Sequence, residues 1–184
     1  MQYWRTSPLV LRFSYAELPR LRFVEKMMSE IDTPIYWIIV GSPENFARTR
    51  AIEFSAQGIK SRHRKKAERM KPGDRIVYYL TGLKAFAGIS TITSLYFESH
   101  ERIWSSGDSK KETEDYPFRV NTTPDFILHE GAFVGAEPIA REMSYVAKWP
   151  AANWTLAFQG NVHEVGEADF NLIRDAVSAQ LSAT

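Results

Sequence analysis

The feature that most constrains the fold is a run of six β-branched and aromatic residues that leads directly into a helix start. Ile35–Val40 reads Ile-Tyr-Trp-Ile-Ile-Val, which is typical of a strand that is buried on both faces. Gly41 ends this run, Ser42 is a good N-cap, and Pro43 suits the first helical position. A helix to about Ile52 is therefore predicted, next to a sheet that must be covered on both sides.

The rest of the chain predicts four or five further strands, with helices inserted early and placed late. Strands are expected over Arg75–Leu80, Ala85–Phe97, Tyr116–Thr122, Asp125–His129 and Asn153–Gln159, and helices over Ser61–Met70, Pro138–Tyr145 and Glu167–Leu181. Gly88, inside a strand, predicts a bulge or a close backbone approach. Five or six strands in this order indicate the α+β class with a small curled sheet.

The first 33 residues differ from the rest of the chain. They mix aromatic residues and prolines without a clean period. We interpret residues 1–33 as a flexible N-terminal extension that precedes a domain at residues 34–184. A functional basic arm is the alternative.

Composition excludes several kinds of site. There is no cysteine, so disulfides, thiolate metal sites and cysteine nucleophiles are ruled out. The four histidines are widely spaced, and neither a Gly-rich phosphate loop nor Gly-x-Ser-x-Gly occurs. We therefore expect no metal and no cofactor. No apolar run approaches the ~20 residues of a membrane span, so we expect a cytoplasmic protein without a membrane partner.

Positive charge is concentrated in one short stretch. The net charge of the whole chain is +1, but Lys60–Lys71 holds seven basic residues and one acid, Glu68. Helical spacing places the cations beside a buried face of the predicted helix. Such a run is usually only a solvated helix face. We favour contact with a polyanion, because a local patch can attract nucleic acid even on a nearly neutral protein.

Three segments, in this order and spacing, carry a resemblance to a known family. They are Tyr36–Asn45, then Gln57–Ile59 followed by the basic stretch and Met70–Tyr79, and then Phe86–Ile89, with a weaker match at Asn153–Phe158 and Asp169–Phe170. They resemble EVE domains, which are relatives of the YTH readers in the PUA-like superfamily. The resemblance covers roughly Thr33–Val177. It implies a small curled β-barrel with flanking helices, and a pocket that in the relatives takes a flipped-out base.

The resemblance and the local pattern together assign candidate residues. The predicted base pocket consists of Ser42, Asn45, Gln57, Gly58, Ile59, Tyr79 and Leu80, with Trp149 as a stacking wall. The predicted phosphate contacts are Lys60, Arg62, Lys65, Lys66 and Arg69. The related YTH readers hold N6-methyladenine in a tryptophan cage, and Gln57 falls at or beside the first cage position. Its amide suits a Watson–Crick edge, such as that of a cytosine derivative, better than a methyl group.

The favoured function is therefore a non-enzymatic module that binds DNA or RNA and recognises a modified base. The first alternative is an enzyme like the ASCH relatives, acting on RNA or modified nucleosides. It needs a lysine, a tyrosine and a carboxylate in one cleft, for which Lys60, Tyr79 and Glu44 are candidates. The second alternative is an interaction protein with a vestigial pocket. A shallow cleft at Gln57 that is filled by side chains would favour this alternative.

Overall fold

The fold is a mixed sheet with helices on its flanks. The computed structural model describes residues 33–105 and 116–183, so all of the predicted extension except Thr33 lies outside the described residues. The described strands are β1 Tyr36–Gly41, β2 Ala56–Ile59, β3 Arg75–Leu80, β4 Ala85–Ile92, β5 Phe97–Glu98, β6 Phe118–Ile127, β7 Val134–Gly135 and β8 Val162–Val165. The α-helices are α1 Pro43–Ala51, α2 Arg64–Ala67, α3 Ala136–Glu142 and α4 Glu167–Ser182, and 3₁₀ turns occupy Ser61–His63, Val146–Lys148 and Ala151–Phe158.

The main strands follow the order β2-β6-β4-β3-β1-β8, with β5 paired to β6 and β7 paired to β4. β1 and β3 run parallel, with Ile38 opposite Val77. The other pairs are antiparallel. The segment with α1, β2 and α2 forms the crossover from β1 to β3, because parallel neighbours need a long connection. This arrangement confirms the α+β class with a curled sheet.

Both faces of the sheet are buried, as the composition of β1 predicts. Ile38 and Val40 belong to one hydrophobic cluster. Trp37 and Ile39 belong to a second cluster on the opposite face, because successive side chains alternate along a strand. The helix α4 covers the first face through its buried residues Phe170, Ile173 and Val177. None of the helices in the described ranges has the length and apolar character that a bilayer crossing requires.

A buried carboxylate anchors the start of β1 to the turn before β3. Asp74 is fully buried. It accepts hydrogen bonds from the Ile35 amide at 2.8 Å, the Trp37 indole at 3.0 Å and the Lys71 amide at 3.2 Å. Gly73, with φ +93°, allows the chain to turn there. The turn at residues 71–74 therefore ties the neighbouring strands β1 and β3 together.

The close approach predicted at Gly88 is confirmed. A Cβ at this position would lie 2.6 Å from the carbonyl oxygen of Phe126 on β6. The pairing register shifts nearby, between Ile89 and Ser90 on the β6 side. A shift of this kind increases local twist, so it contributes to the curl of the sheet.

The basic stretch begins directly after a short strand. Gln57 and Gly58 lie in this strand, β2, which pairs with β6. The predicted Ser61–Met70 helix is reduced to a 3₁₀ turn and the four-residue α2. Before this helical segment, Ile59 belongs to the sheet. After it, the Met70 amide donates a hydrogen bond to the Ala67 carbonyl, which closes the segment in a turn.

The later strands also differ from expectation. The long strand predicted for Ala85–Phe97 ends at Ile92, and the two strands predicted between Tyr116 and His129 form the single strand β6. Pro124 lies inside β6 beside the register shift, where its missing N–H can be accommodated. The predicted Asn153–Gln159 strand is a 3₁₀ turn. The strand that does pair with β1 is β8, which the sequence did not reveal.

Candidate functional site

The carboxyl end of β1 and the first turn of α1 build one wall of a cleft. The Ser42 hydroxyl accepts from the Asn45 amide at 3.3 Å, so the predicted N-cap is confirmed. The Asn45 side chain donates to the Ser105 carbonyl at 2.8 Å, and its Oδ1 accepts from the Ser105 amide at 3.1 Å. Asn45 thus pairs with the backbone of a distant loop in the manner of a strand, and it holds that loop beside the helix start.

Trp104 directly precedes Ser105, whose backbone Asn45 binds, and its side chain is buried in the cleft. Its indole nitrogen donates to the Thr49 hydroxyl at 2.8 Å. The ring centroid lies 6.2 Å from that of Tyr116 and 5.3 Å from the guanidinium carbon of Arg119. Arg119 also contacts the carbonyl and carboxylate of Glu101 in the same loop. Side chains from α1, β6 and the segment before β6 therefore fix the indole.

The cleft has an inner and an outer cavity. The inner cavity has a volume of about 20 Å³, and its lining includes Asn45, Gln57, Tyr79, Leu80, Trp104, Tyr116 and Asn161. The outer cavity has a volume of about 160 Å³, and its lining includes Ser42, Asn45, Lys60, Thr81, Ser105, Tyr116 and Gly160. Asn45 and Tyr116 line both, so the inner cavity is the narrow floor of the outer one.

Asn161 connects the two strands that meet at the cleft. Its Oδ1 accepts from the Lys60 amide at 3.0 Å, and its Nδ2 donates to the Val40 carbonyl at 3.3 Å. Its own carbonyl accepts from the Val40 amide at 2.8 Å. Lys60 is thereby held at the outer cavity, with its ammonium 5.5 Å from the centre of the Tyr116 ring.

The structure brings most of the predicted pocket residues together. Ser42, Asn45, Gln57, Tyr79 and Leu80 line one or both cavities. Lys60, predicted as a phosphate contact, lies at the outer cavity.

Three predicted residues lie elsewhere or contribute differently. Gly58 presses against the face of Trp104, and Ile59 is packed in the core. Trp149 lines neither cavity in the described part of the chain. It packs against Tyr145 in the cluster on the opposite face of the sheet.

Sequence reasoning missed Trp104, Tyr116, Thr49 and Asn161. A signal existed for Trp104, because a single large aromatic residue inside a polar loop must pack against the body of the domain. Trp149 has the same kind of signal, and only the tertiary structure separates the two tryptophans.

The basic stretch is only partly available to a ligand. Arg62 and Lys65 are exposed. Lys66 instead donates to the Val162 carbonyl, and partial burial lowers its pKa. Arg69 makes a two-pronged ion pair with Glu164, at 2.8 and 3.0 Å. Lys66 and Arg69, predicted to hold phosphates, are therefore engaged in attaching this segment to β8.

The residues of the enzyme alternative do not share one cavity. Lys60 lines the outer cavity, Tyr79 lines the inner one, and Glu44 is exposed on the first turn of α1. Burial raises the pKa of Tyr79 to about 12, so its phenol is a poor proton acceptor near neutral pH.

The sequence model of the EVE domain matches residues 35–176, most of the chain. The chain belongs to the EVE domain family. A UPF0310 protein of Pyrococcus horikoshii is 26% identical over 148 residues, covering 75% of this chain and 95% of the relative. The EVE domain is also similar in structure to two YTH domains, and these similarities confirm the predicted PUA-like fold.

The first is the YTH domain of Zygosaccharomyces rouxii MRB1, determined in complex with N6-methyladenosine RNA. Its TM-score is 0.55 at 11% identity, and the match covers 78% of this EVE domain and 86% of that chain. The second is the YTH domain-containing protein Mmi1, determined in complex with RNA. Its TM-score is 0.57 at 12% identity, with 82% and 88% covered.

Alanine at Gly58 should lower the free energy of unfolding by about 1–3 kcal/mol, the usual range for overpacking. The added Cβ would lie 2.4 Å from Cε3 of Trp104 and 3.0 Å from Cβ of Tyr116, so the rigid indole has to move. Chemical denaturation measures the loss. Gly135→Ala is the matched control, because a Cβ at Gly135 meets no atom within 4 Å. Equal stability of the two variants would show that the indole does not rest on Gly58.

Proposed function

We propose that this EVE domain binds single-stranded DNA or RNA, without catalysing a reaction, and accepts one modified base in its cleft. The supporting observation is the outer cavity of about 160 Å³, which brings together a lysine, an aromatic ring and a capped helix start. Lys60 offers charge to a phosphate, and Tyr116 offers a face for stacking. The related YTH domain of Zygosaccharomyces rouxii, which was determined with N6-methyladenosine RNA, is consistent with this class of ligand.

Gln57 is the group that we propose to read the base. Its Nε2 donates to the Gly58 carbonyl at 2.8 Å. Among the described residues, its Oε1 accepts no hydrogen bond. An unused acceptor in the cavity lining can accept from an exocyclic amino group, such as N4 of cytosine. We therefore propose a modified cytosine as the preferred base, with Trp104 and Tyr116 as stacking surfaces.

The small inner cavity sets a condition on base reading. Its volume of about 20 Å³ has room for one water molecule, so a base reaches Gln57 only when Trp104 or Tyr116 shifts. The same small volume favours the second candidate, an interaction protein with a vestigial pocket. The two candidates differ in one measurable property, because only a base reader distinguishes oligonucleotides that differ in one modification.

The test is a binding array of single-stranded oligonucleotides that each carry one modified base, measured at one fixed salt concentration. It includes 5-methylcytosine, N6-methyladenine and the unmodified parent strands, as DNA and as RNA. We expect one modified strand to bind more tightly than its parent. Equal binding of all strands would overturn base reading and leave the interaction protein.

Replacing Gln57 with alanine should reduce the preference for the modified strand by about 1–3 kcal/mol, the range for a base-edge contact. Binding of the unmodified strand should hardly change, because under this proposal its base stays outside the cleft and does not reach Gln57. Paired titrations of both proteins with both strands measure the difference. Gln57→Met keeps the length of the side chain without its amide, and it should show the same loss with a melting temperature near that of the wild type. Equal weakening on both strands would show that Gln57 does not read the base.

A further inference from the structure

A second cleft adjoins the outer cavity and belongs to no function described so far. Its volume is about 350 Å³, at the lower end of the ~300–1,000 Å³ of small-ligand sites. Thr81 and Gly160 line both this cleft and the outer cavity. The two spaces therefore lie on either side of a ridge that Thr81 and Gly160 form, where the Thr81 amide donates to the Gly41 carbonyl at 3.0 Å.

The floor of the second cleft is aromatic and its edge is polar. Tyr79 and Phe158 stack with their ring centroids 4.3 Å apart, and both line the cleft. Thr155 and Gln159 contribute hydroxyl and amide groups to the lining. An apolar floor with a few polar groups suits the sugar and base of a nucleotide.

Lys84 supplies the positive charge of this cleft. It lies in the hairpin between β3 and β4 with φ +49°, a conformation that is uncommon for residues other than glycine. The hairpin backbone is fixed, because the Lys84 carbonyl accepts from the Ala136 amide at 2.9 Å. The side chain is exposed, and its ammonium makes no ion pair or hydrogen bond within residues 33–105 and 116–183.

The charged side chains that line the two adjoining cavities have one sign. Lys60 lines the outer cavity and Lys84 lines the second cleft, while no described aspartate or glutamate lines either. The separate apolar cavity near Pro43 and Leu83, in contrast, includes Glu130 in its lining. The charge distribution therefore favours a path toward Lys84 for an anionic chain that leaves the outer cavity.

We propose that the second cleft binds the nucleotide next to the inserted base, with its phosphate on Lys84. This inference rests on the proposed function, because the inserted base defines the neighbouring position. It places the strand across the Thr81 and Gly160 ridge, between two lysines. The basic stretch at α2 contributes less than its charge suggests, because Lys66 and Arg69 are held by protein groups.

The test measures the salt dependence of binding to fluorescein-labelled single-stranded nonamers, as DNA and as RNA. Each nonamer carries 5-methylcytosine or cytosine at its centre. Lys84→Ala should lower the log–log salt slope by about 0.7, one phosphate contact on a single strand, which corresponds to about fivefold weaker binding at 0.1 M relative to 1 M salt. The loss should be equal for both central bases. Lys148→Ala, an exposed lysine outside all these cavities, should keep the wild-type slope.

A second pair of variants keeps the test independent of the hairpin fold. Thr155→Glu places a carboxylate in the cleft and should weaken binding of both nonamers clearly more than the uncharged, similarly sized Thr155→Gln does. An unchanged salt slope for Lys84→Ala, or equal binding by the two Thr155 variants, would overturn the second cleft. A Lys84 effect without any preference for a modified base would instead overturn base reading and retain the cleft. A preference for the modified base without an effect of Lys84→Ala would overturn the second cleft and retain base reading.

Discussion

Replacing Asp74 with alanine should lower the free energy of unfolding by about 3–5 kcal/mol, because three donors lose their acceptor at once and each unpaired buried donor costs about 1–3 kcal/mol. The donors are the amides of Ile35 and Lys71 and the indole of Trp37. The Trp37 ring is fully buried, so no water can replace the lost carboxylate without a rearrangement of the core. Urea denaturation, followed by tryptophan fluorescence, measures the effect.

Two companion variants separate this role from a general effect of removing charge. Asp74→Asn retains one acceptor oxygen and should lose less stability than Asp74→Ala. Asp175→Ala removes an exposed carboxylate that pairs only with neighbouring Arg174 among the described residues, and it should stay within about 0.5 kcal/mol of the wild type. If Asp74→Ala behaves like Asp175→Ala, Asp74 does not hold the two strands together.

Replacing Trp104 with alanine should have the second large effect, on stability and on binding together. Loss of a buried tryptophan typically costs about 3–5 kcal/mol of unfolding free energy. Binding of the preferred modified oligonucleotide should weaken by about 10- to 100-fold, because stacking on an aromatic side chain contributes about 1–3 kcal/mol per base. Melting curves and titrations at one salt concentration provide the two measurements.

Trp149→Ala is the matched control for this experiment. It removes the same side chain from the other face of the sheet, where the ring is half-buried beside Tyr145, so it should lower the melting temperature and leave binding unchanged. Trp104→Phe should retain most of the binding, because phenylalanine keeps an aromatic face, while it loses part of the ring surface and the hydrogen bond to Thr49. If Trp149→Ala weakens binding and Trp104→Ala does not, the stacking surface is Trp149, as the sequence alone predicted.

The elements that local chemistry determines could be predicted well. The buried run before Gly41, the Ser42 cap and the Arg75–Leu80 strand all agree with the structure, because side-chain period and capping act within a few residues. β2 could not be found in this way. It has four residues, includes Gln57 and Gly58, and exists because β6 offers it a partner. Short strands of this kind are decided by tertiary pairing rather than by propensity.

The same distinction between local signals and tertiary contacts applies to the residues of the candidate site. Ser42, Asn45 and Gln57 could be named from the sequence because the resemblance to EVE domains aligns them. Trp104 could not be distinguished from Trp149, since its position depends on bonds from Asn45 and Arg119 that span long sequence separations. The charges of Lys66 and Arg69 could be counted, but their partners on β8 appear only in the folded chain.

Under the proposed function, the narrow inner cavity limits the rate at which a base can enter the cleft. A site that must open before a base can enter binds through a sparsely populated form, and the apparent dissociation constant rises in inverse proportion to the open fraction. Association then becomes slower than docking of the phosphates alone. In stopped-flow mixing, the strand should associate in a fast, salt-sensitive phase, followed by a slower phase. The observed rate of the slower phase should reach a plateau as the concentration of the strand increases. The plateau rate is the opening rate of the Trp104 and Tyr116 pair.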